Sequence, residues 1–568
     1  MIHLDTNTLL WDRWLTHAGQ TPASTAIIHY VAGEEPFVWT WSNLIGRASR
    51  YAAILKNAGV RHGQVCGLII RHHREFYPIY MAVESLGALP AVLAYPNPRL
   101  HPDKFRQGLE GMSHRSGLDF ILTEQDLEPM VRPLINNPVS TIKSLLFPLD
   151  WQTDPIMTST SAPTTPHPAL SPDSPALLQH SSGTTGLQKP VILSHRAILE
   201  HVHHYGRAIA LTPTDKVCSW LPLYHDMGLI AAFHMPLAAG IPTIQIDPFE
   251  WVIAPVLLFD AISSEKATLS WLPNFAYNHM AERIHDDDLA DIRLDSIRVL
   301  INCSEPVRAA SHNRFAERFA ALGLNRSALS ASYAMAETTF AVTQTLPGRE
   351  APWIDADRQS LGEGNFVLVR PNQPSRRCVS SGLPIDGCDV RIVDDRRADL
   401  PDGRVGEIAV RSVSMFDGYR NNAEQTAKVL ENGWYYTGDY GFRLGREHYI
   451  IGRKKDIIIV AGKNLYPEDI EDAVNSAPGI HPGRVIAFGA EDEAAGTEQI
   501  CIIAETDAAT DADRKQVRRG IIEAGMRVDV TIARTYLVPP RWLIKSSAGK
   551  PSRSANRDRA LSELTPVE

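Results

Sequence analysis

Residues 177–198 read LLQHSSGTTGLQKPVILSHRAI. An apolar run suited to a strand gives way to six small residues, Ser181, Ser182, Gly183, Thr184, Thr185 and Gly186. A single lysine, Lys189, follows, and then SHRAI, which can open a helix. A strand that ends in a Ser/Thr/Gly loop can aim backbone N–H groups and hydroxyls at an anion, with the lysine adding charge. A surface turn and a loose linker are the competing readings. The stretch is not the common GxxxxGK[ST] phosphate loop, because Gln188 stands where the second glycine belongs. SSAGKPS at 546–552 lacks the earlier glycine and the Ser/Thr after Lys550, and GEGNFV at 362–367 completes no dinucleotide fingerprint.

Bulk properties narrow the field. A chain of 568 residues is too long for one hydrophobic core, so two or more domains are expected. Hydrophobic residues at 44% and charged residues at 21% fit a soluble globular enzyme. The formal net charge of −9 gives no sign of nucleic-acid binding. Six cysteines are scattered without a CxxC pair, which suits a reducing, cytoplasmic setting. The start, MIHLDTNTLLWDRW, lacks the basic-then-apolar order of a signal peptide, and no apolar run is long enough to span a membrane.

Along the chain, SNLIGRASRYAAILKNAG reads as an amphipathic helix closed by Gly59, and VCGLII as a buried strand. EFYPIYMAVESLGA is a second helix and PAVLAY another strand. Strands separated by helices imply a parallel sheet with both faces covered. Six prolines between Thr153 and Pro175 mark a connector. DLPDGRVGEIAV opens a small β-rich unit. After IGRKKDIIIVAG, about a hundred residues read as a small α+β domain. The expected fold class is therefore α/β, a large N-terminal body with a β-rich subdomain followed by a small C-terminal domain.

An ordered series of blocks extends the opening stretch. SWLPLYHDMGL (219–229) precedes NCSEP (302–306) and SYAMAETT (332–339). WYYTGDYG (434–441), IGRKKDIIIVAGKNLYPEDIE (451–471) and IKSSAGKPSR (544–553) complete it. In this order, over Trp11 to about Arg559, the chain resembles the acyl-adenylate-forming superfamily, and within it the fatty acyl-AMP ligases. WLPLYHDMGL, LPNFAYN (272–278) and KNLYPEDIE resemble that branch. So does the spacing of 45 residues from Glu337 to Gly382, which leaves room for an insertion at about 346–378.

The resemblance implies domains at 1–452 and 453–568 and an ATP- and Mg²⁺-dependent reaction. Ser181, Ser182, Gly183, Thr184, Thr185, Gly186 and Lys189 would cradle the departing phosphates. Pro190 replaces the family's usual glycine and removes an N–H donor. Glu337 would hold Mg²⁺, an oxygen ligand suited to a hard cation. Ala336 stands where related CoA ligases have threonine, leaving Thr338 as the candidate substitute hydroxyl. Tyr333 would stack on adenine beside Ser304, Glu305, Pro306, Ser332 and Ala334. Asp439 would accept both ribose hydroxyls, since a carboxylate is acceptor-only, and Arg453 would add a second ribose contact. Lys550 would bridge the attacking carboxylate and the α-phosphate, with Lys545 as the local competitor. His225 would sit where nucleotide, acid and thiol converge, and Lys455 occupies the hinge position.

His201, His203 and His204 lack partners at metal-binding spacing and are expected on a solvated helix face. The acid would be a fatty or related carboxylic acid. Its acceptor would be the phosphopantetheine thiol of a separate acyl carrier protein, since LDSIRVL at 294–300 lacks the glycine of a carrier attachment site. A CoA synthetase and a nucleotide-binding regulatory protein are the alternatives.

Overall fold

The computed structural model describes residues 2, 4–96, 102–151, 170–181, 188–460, 463–492, 497–545 and 551–567. Among them, nine strands form the largest sheet. Its parallel centre runs Thr25–Tyr30, Thr243–Ile246, Val217–Ser219, Leu269–Leu272, Val299–Asn302 and Leu329–Ala334. Antiparallel strands close both edges, Phe37–Thr40 on one side, Ala341–Gln344 and Leu383–Pro384 on the other. A second sheet orders Leu89–Val92, Val65–Ile69, Leu118–Thr123 and Ser144–Leu146, all parallel. Every residue of Val65–Ile69 is buried, as a strand covered on both faces requires.

The helix Trp41–Asn57 shows how local chemistry builds these layers. Thr40 caps it by accepting from the Asn43 N–H, and Gly59 leaves it at φ +100°. Trp41, Leu44, Ile45, Ala48, Tyr51, Ala52 and Leu55 recur at helical spacing and are buried. The helix Phe76–Ser85 is buried along its whole length, so it packs on both sides.

The β-rich unit is an antiparallel sheet of Cys388–Val393, Gly406–Ser412, Trp434–Leu444 and Glu447–Arg453, with the short Leu430–Glu431 at its side. Beyond it, Val485–Asp492, Thr497–Glu505 and Ile532–Val538 form a three-stranded sheet. The helices Pro467–Asn475, Asp511–Met526 and Arg553–Glu563 pack with it. This tail has its own cores, one around Ile470, Ile502 and Ile521 and one around Ile486, Phe488 and Tyr536. Neither shares a residue with the large core that runs from Leu4 to Tyr435.

The stretch expected as an insertion forms a hairpin, Trp353–Asp357 against Ser375–Val379, with the short helix Arg358–Gly362 between its strands. Ala356, Leu361 and Cys378 of this hairpin share a hydrophobic cluster with Phe442, Tyr449 and Ile451 of the β-rich sheet and with Tyr466 near the chain's tail.

The helix His195–Ala208 corrects one expectation. His201 is 1% exposed rather than solvated; its Nε2 accepts from the Ala341 N–H at 3.3 Å and its Nδ1 meets the Ser414 hydroxyl. His203 and His204 are half-buried. Burial lowers the pKa of His180, His195 and His312 to about 4 and that of His201 and His234 to about 3. In the unfolded chain these rings titrate near 6.5, so the unfolded state binds the extra protons on acidification. Their stabilisation is complete above about pH 6.5 and is lost as the pH falls toward 4. Each ring still neutral at pH 5 would cost about 2 kcal/mol relative to pH 7. Thermal unfolding is expected to shift steeply downward between pH 7 and pH 5; a flat profile across that range contradicts this.

Candidate active site

The opening stretch folds as an antiparallel hairpin, Pro175–Ser181 against Lys189–Ser194, with Ser181 opposite Lys189. Ser182, Gly183, Thr184, Thr185 and Gly186 lie outside the described residues. The Lys189–Ser194 strand is sewn to the 417–420 segment. The Asp417 and Arg420 N–H groups donate to the carbonyls of Ile192 and Pro190, and the Ile192 N–H donates to the Gly418 carbonyl. That stitching sets the Lys189 Nζ 4.8 Å over the Tyr419 ring. The Tyr419 hydroxyl donates to Glu337 Oε1 at 2.7 Å. Glu337 occupies a short 3-10 turn, Ala336–Thr338, is 7% exposed, and its carbonyl accepts from the Phe416 N–H. Lysine, phenol and carboxylate thus form one chain of contacts.

Thr338 does not offer the substitute hydroxyl. It is fully buried, and its Oγ1 turns back to the carbonyls of Met335 at 3.2 Å and Phe340 at 3.1 Å.

A cleft of about 420 Å³ opens between the β-rich sheet, the end of the large parallel sheet and the tail. Across one wall the Tyr333 hydroxyl donates to Asp439 Oδ2 at 2.6 Å, and Arg453 Nε lies 3.4 Å from Asp439 Oδ1. Asp439 and Arg453 face each other in the register of adjacent antiparallel strands. Burial, and next the Asp439 charge, raise the Tyr333 pKa well above its ordinary value, so the phenol stays a donor. The Asp439 N–H donates to the hydroxyl of Thr437, two residues back in the same strand.

Ser304, Glu305, Pro306, Ser332 and Ala334 line the same cleft. Ser304 takes φ +68°, a left-handed conformation uncommon for serine. The Glu305 carboxylate accepts from the Phe275 N–H at 2.9 Å, at the first turn of the helix Asn274–Arg283, where a negative group is favourable. Ser332 spends its hydroxyl on the Thr343 carbonyl. His225 is not among the residues that line this cleft; its Nδ1 is 2.6 Å from Asp226 Oδ1, at the head of the π-helix Met227–His234.

The tail supplies the opposite wall, with Asp456, Glu468, Glu471, Pro551, Ser552 and Arg553. Arg553 pairs with Asp456 at 2.8 Å, Glu471 at 2.9 Å and Glu468 at 3.3 Å. Burial holds the Glu471 carboxyl above the usual range, against the pull of Arg553. Lys550 lies outside the described residues. Its competitor Lys545 is drawn down to about 8 by burial and then by Arg484, against Glu505 and Glu305. Lys455 sits in the short turn Lys454–Asp456; partial burial of its ammonium, then the like charges of Arg453 and Lys189, lower its pKa.

Sequence reading alone missed Tyr419, Arg553 and the acids of the helix Pro467–Asn475. Arg553 was within reach, since it closes the IKSSAGKPSR block. Tyr419 belongs to no block, and only its contacts with Lys189 and Glu337 single it out.

A nucleotide-sized cleft between a large α/β body and a small α+β tail, walled by a phenol–carboxylate–arginine set, defines the adenylate-forming class of enzymes. The AMP-binding enzyme family model matches residues 14–420. Over 579 aligned residues the chain is 30% identical to the probable long-chain-fatty-acid–AMP ligase FadD30 of Mycobacterium tuberculosis, covering 95% of each chain. It is 34% identical to the medium-chain-fatty-acid–[acyl-carrier-protein] ligase JamA of Moorena producens, covering 69% of each. A solved structure from work on fatty acyl-adenylate ligases of E. coli and L. pneumophila superposes with a TM-score of 0.87 at 25% identity, covering 98% of both chains. The chain belongs to the AMP-binding enzyme family, in its fatty acyl-AMP ligase branch.

Proposed function

We propose that this protein activates a fatty or related carboxylic acid with ATP, releases pyrophosphate, and passes the acyl group from acyl-AMP to the phosphopantetheine thiol of a separate acyl carrier protein. The setting would be cytoplasmic, in lipid, polyketide or peptide assembly. The observation that carries this reading is the cleft itself. It joins Tyr333 and Asp439 of the body to Arg453, Asp456 and Arg553 of the tail, and Arg553 follows Lys550 by three positions in the sequence.

The chemistry sets two anions against each other, because a carboxylate must attack a phosphate. Asp439 would accept the ribose hydroxyls while Tyr333 and Arg453 hold its carboxylate in place. Lys189 would face the β- and γ-phosphates, and Lys550 would bridge carboxylate and α-phosphate as the P–O bond to pyrophosphate breaks. The Glu337 carboxylate, held at Oε1 by Tyr419, fits a hard divalent cation by donor type and would hold Mg²⁺. Bound there, the ion would neutralise phosphate charge. The domains would divide at 452/453, consistent with the separate cores, and Lys455 would be the hinge.

The preference for a carrier thiol over free CoA is supported by a clasp on the tail. Asp469 and Asp472 lie one turn apart on the helix Pro467–Asn475. Arg376 of the insertion hairpin sits 3.1 Å from Asp469, donates to the Ile451 carbonyl and covers the Tyr466 ring at 4.7 Å. Arg308 of the body reaches Asp472 at 2.7 Å and Asp469 at 3.9 Å. Rotation of the tail would have to break this clasp.

Pyrophosphate release across a panel of fatty acids, followed by mass analysis of acyl transfer to carrier protein and to CoA, tests the reading. Efficient acyl-CoA formation would point to a CoA synthetase instead, and ATP binding without turnover to a regulatory protein. Replacing Arg308 and Asp472 together with alanine should raise the ratio of acyl-CoA to acyl-carrier product about fivefold, since a partly exposed ion pair contributes about 1 kcal/mol. An unchanged ratio removes that pair from acceptor choice.

A further inference from the structure

A second cavity, of about 270 Å³, lies between the insertion hairpin and the tail. Its floor is buried: Leu361 and Arg376 come from the hairpin, and Tyr466, Ile470 and Val530 from the tail. Its rim is open, with Gln359, Gln373 and Asp529 exposed. The two units meet closely beside it, since a Cβ added at Gly362 would stand 3.0 Å from the Asn464 carbonyl oxygen. Pockets for drug-sized ligands measure about 300–1,000 Å³, so this one suits a smaller occupant.

Three donors of residues that line this cavity are buried and have no hydrogen-bond partner among the described residues. They are Arg358 Nε, Arg376 Nη1 and the Tyr466 hydroxyl. The neighbouring donors are engaged. Arg358 Nη2 donates to the Ser375 carbonyl at 3.0 Å, while Arg376 uses Nε for Asp469 and Nη2 for the Ile451 carbonyl. Arg376 is 7% and Tyr466 5% exposed. Burial raises the Tyr466 pKa against the pull of Arg376, so the phenol keeps its proton. The acids that share the lining do not relieve these groups. Asp357 caps its own helix by accepting from the Ser360 N–H at 2.8 Å, Asp469 is taken by Arg376 and Arg308, and Asp529 is exposed at the rim. Buried polar groups are normally paired, and guanidinium N–H groups pair most strongly with an anionic acceptor. Leu361, Ile470 and Val530 offer apolar contact to the body that carries it.

We propose that this cavity binds a small organic anion, a carboxylate on a compact apolar body, held by Arg358, Arg376 and Tyr466. The occupant touches both the hairpin and the tail, so it binds their docked arrangement and favours it by linkage. Acyl transfer slows while the anion is bound, a consequence that rests on the tail rotation of the proposed function.

The test is a titration of 4-fluorobenzoate into the full chain, followed by fluorine NMR, with acyl-AMP present to fill the nucleotide and acyl sites. Saturable binding is expected, with 4-fluorobenzamide, the same body without charge, about tenfold weaker. Arg358→Met and Tyr466→Phe change residues that line this cavity and not the nucleotide cleft. Each should weaken 4-fluorobenzoate about fivefold, the loss of one hydrogen bond. Arg308→Ala/Asp472→Ala loosens the tail from outside the cavity and should weaken binding about threefold through the coupled equilibrium. Transfer from supplied acyl-AMP to carrier protein should fall about threefold at saturating 4-fluorobenzoate, by the same coupling.

No saturable binding beside acyl-AMP, or parental affinity in both Arg358→Met and Tyr466→Phe, overturns the site. Equal binding of 4-fluorobenzamide overturns the assignment of an anion. Parental affinity in Arg308→Ala/Asp472→Ala, together with unchanged transfer, overturns the bridging of hairpin and tail. A chain that makes no acyl-AMP ends the proposed function, and the titration against the two cavity variants still decides this site.

Discussion

Asp439→Ala is expected to lower kcat/KM for ATP by about 10- to 100-fold, mostly through KM, with the fold intact. The carboxylate is the acceptor on which three neighbours converge: the Tyr333 hydroxyl at 2.6 Å, Arg453 at 3.4 Å, and the ribose hydroxyls assigned to it. Hydrogen bonds to a charged group contribute about 1.5–3 kcal/mol, and ribose contacts persist from bound substrate to transition state, so the loss falls on binding. Stability should change little. The Asp439 side chain is 20% and that of Arg453 41% exposed, and ion pairs open to water contribute about 1 kcal/mol or less. Asp439→Asn keeps an acceptor but turns a donor toward Tyr333 or Arg453, so an intermediate loss is expected. Tyr333→Phe separates the phenol's positioning of Asp439 from ribose contact. Steady-state kinetics over an ATP series decides the matter; a parental KM in Asp439→Ala would remove this residue from the ribose site.

Lys550→Ala should abolish adenylation more completely, by about 10³-fold in kcat, while ATP binding stays near the parental value. Loss of one preorganised positive group at a site of developing charge costs on the order of 10²–10³-fold, and here two anions meet with no other group assigned between them. Lys550→Arg retains the charge on a planar, longer head and should not restore the parental rate, because the two cations are not interchangeable in geometry. Transfer from supplied acyl-AMP to a carrier protein should survive the substitution. Lys545, pulled to about 8 by burial beside Arg484, is the residue to exchange in parallel. If Lys545→Ala proves the inactive variant and Lys550→Ala the active one, the two lysines have been assigned the wrong way round.

The clasp sets these half-reactions in context. Arg376 is 7% exposed, and its two anchoring partners, Asp469 and the Ile451 carbonyl, come from different units. A guanidinium so placed ties the insertion, the body and the tail in one arrangement. Its removal leaves a buried carboxylate with weaker compensation, which is the costly direction. Arg308 and Asp472 are the gentler probe because both stay partly in water.

Some of this protein was legible in the order of its residues. The helix Trp41–Asn57 and the strand Val65–Ile69 follow from periodicity and end signals that act within a few residues. Ser194, which opens SHRAI, caps a helix because its side chain reaches the N–H of Ala197, three residues on. Asp439 and Arg453 were each named from their blocks, whereas their pairing across adjacent strands appears only in the structure. A change of texture around IGRKKDIIIVAG pointed to a separate tail, and the residues beyond it have hydrophobic cores of their own.

The rest needed the tertiary structure, for reasons of distance and burial. Tyr419 meets Glu337 from 82 positions away and Arg376 meets Asp469 from 93, and no local pattern encodes such contacts. Thr338 and His201 were misread because a polar side chain gives no sign of which way it faces. The packing around Phe340 and Ala341 turned one inward to backbone carbonyls and buried the other. Chemistry that repeats along the chain is written in sequence, whereas the partner a polar group finds is decided by which distant backbone arrives next to it.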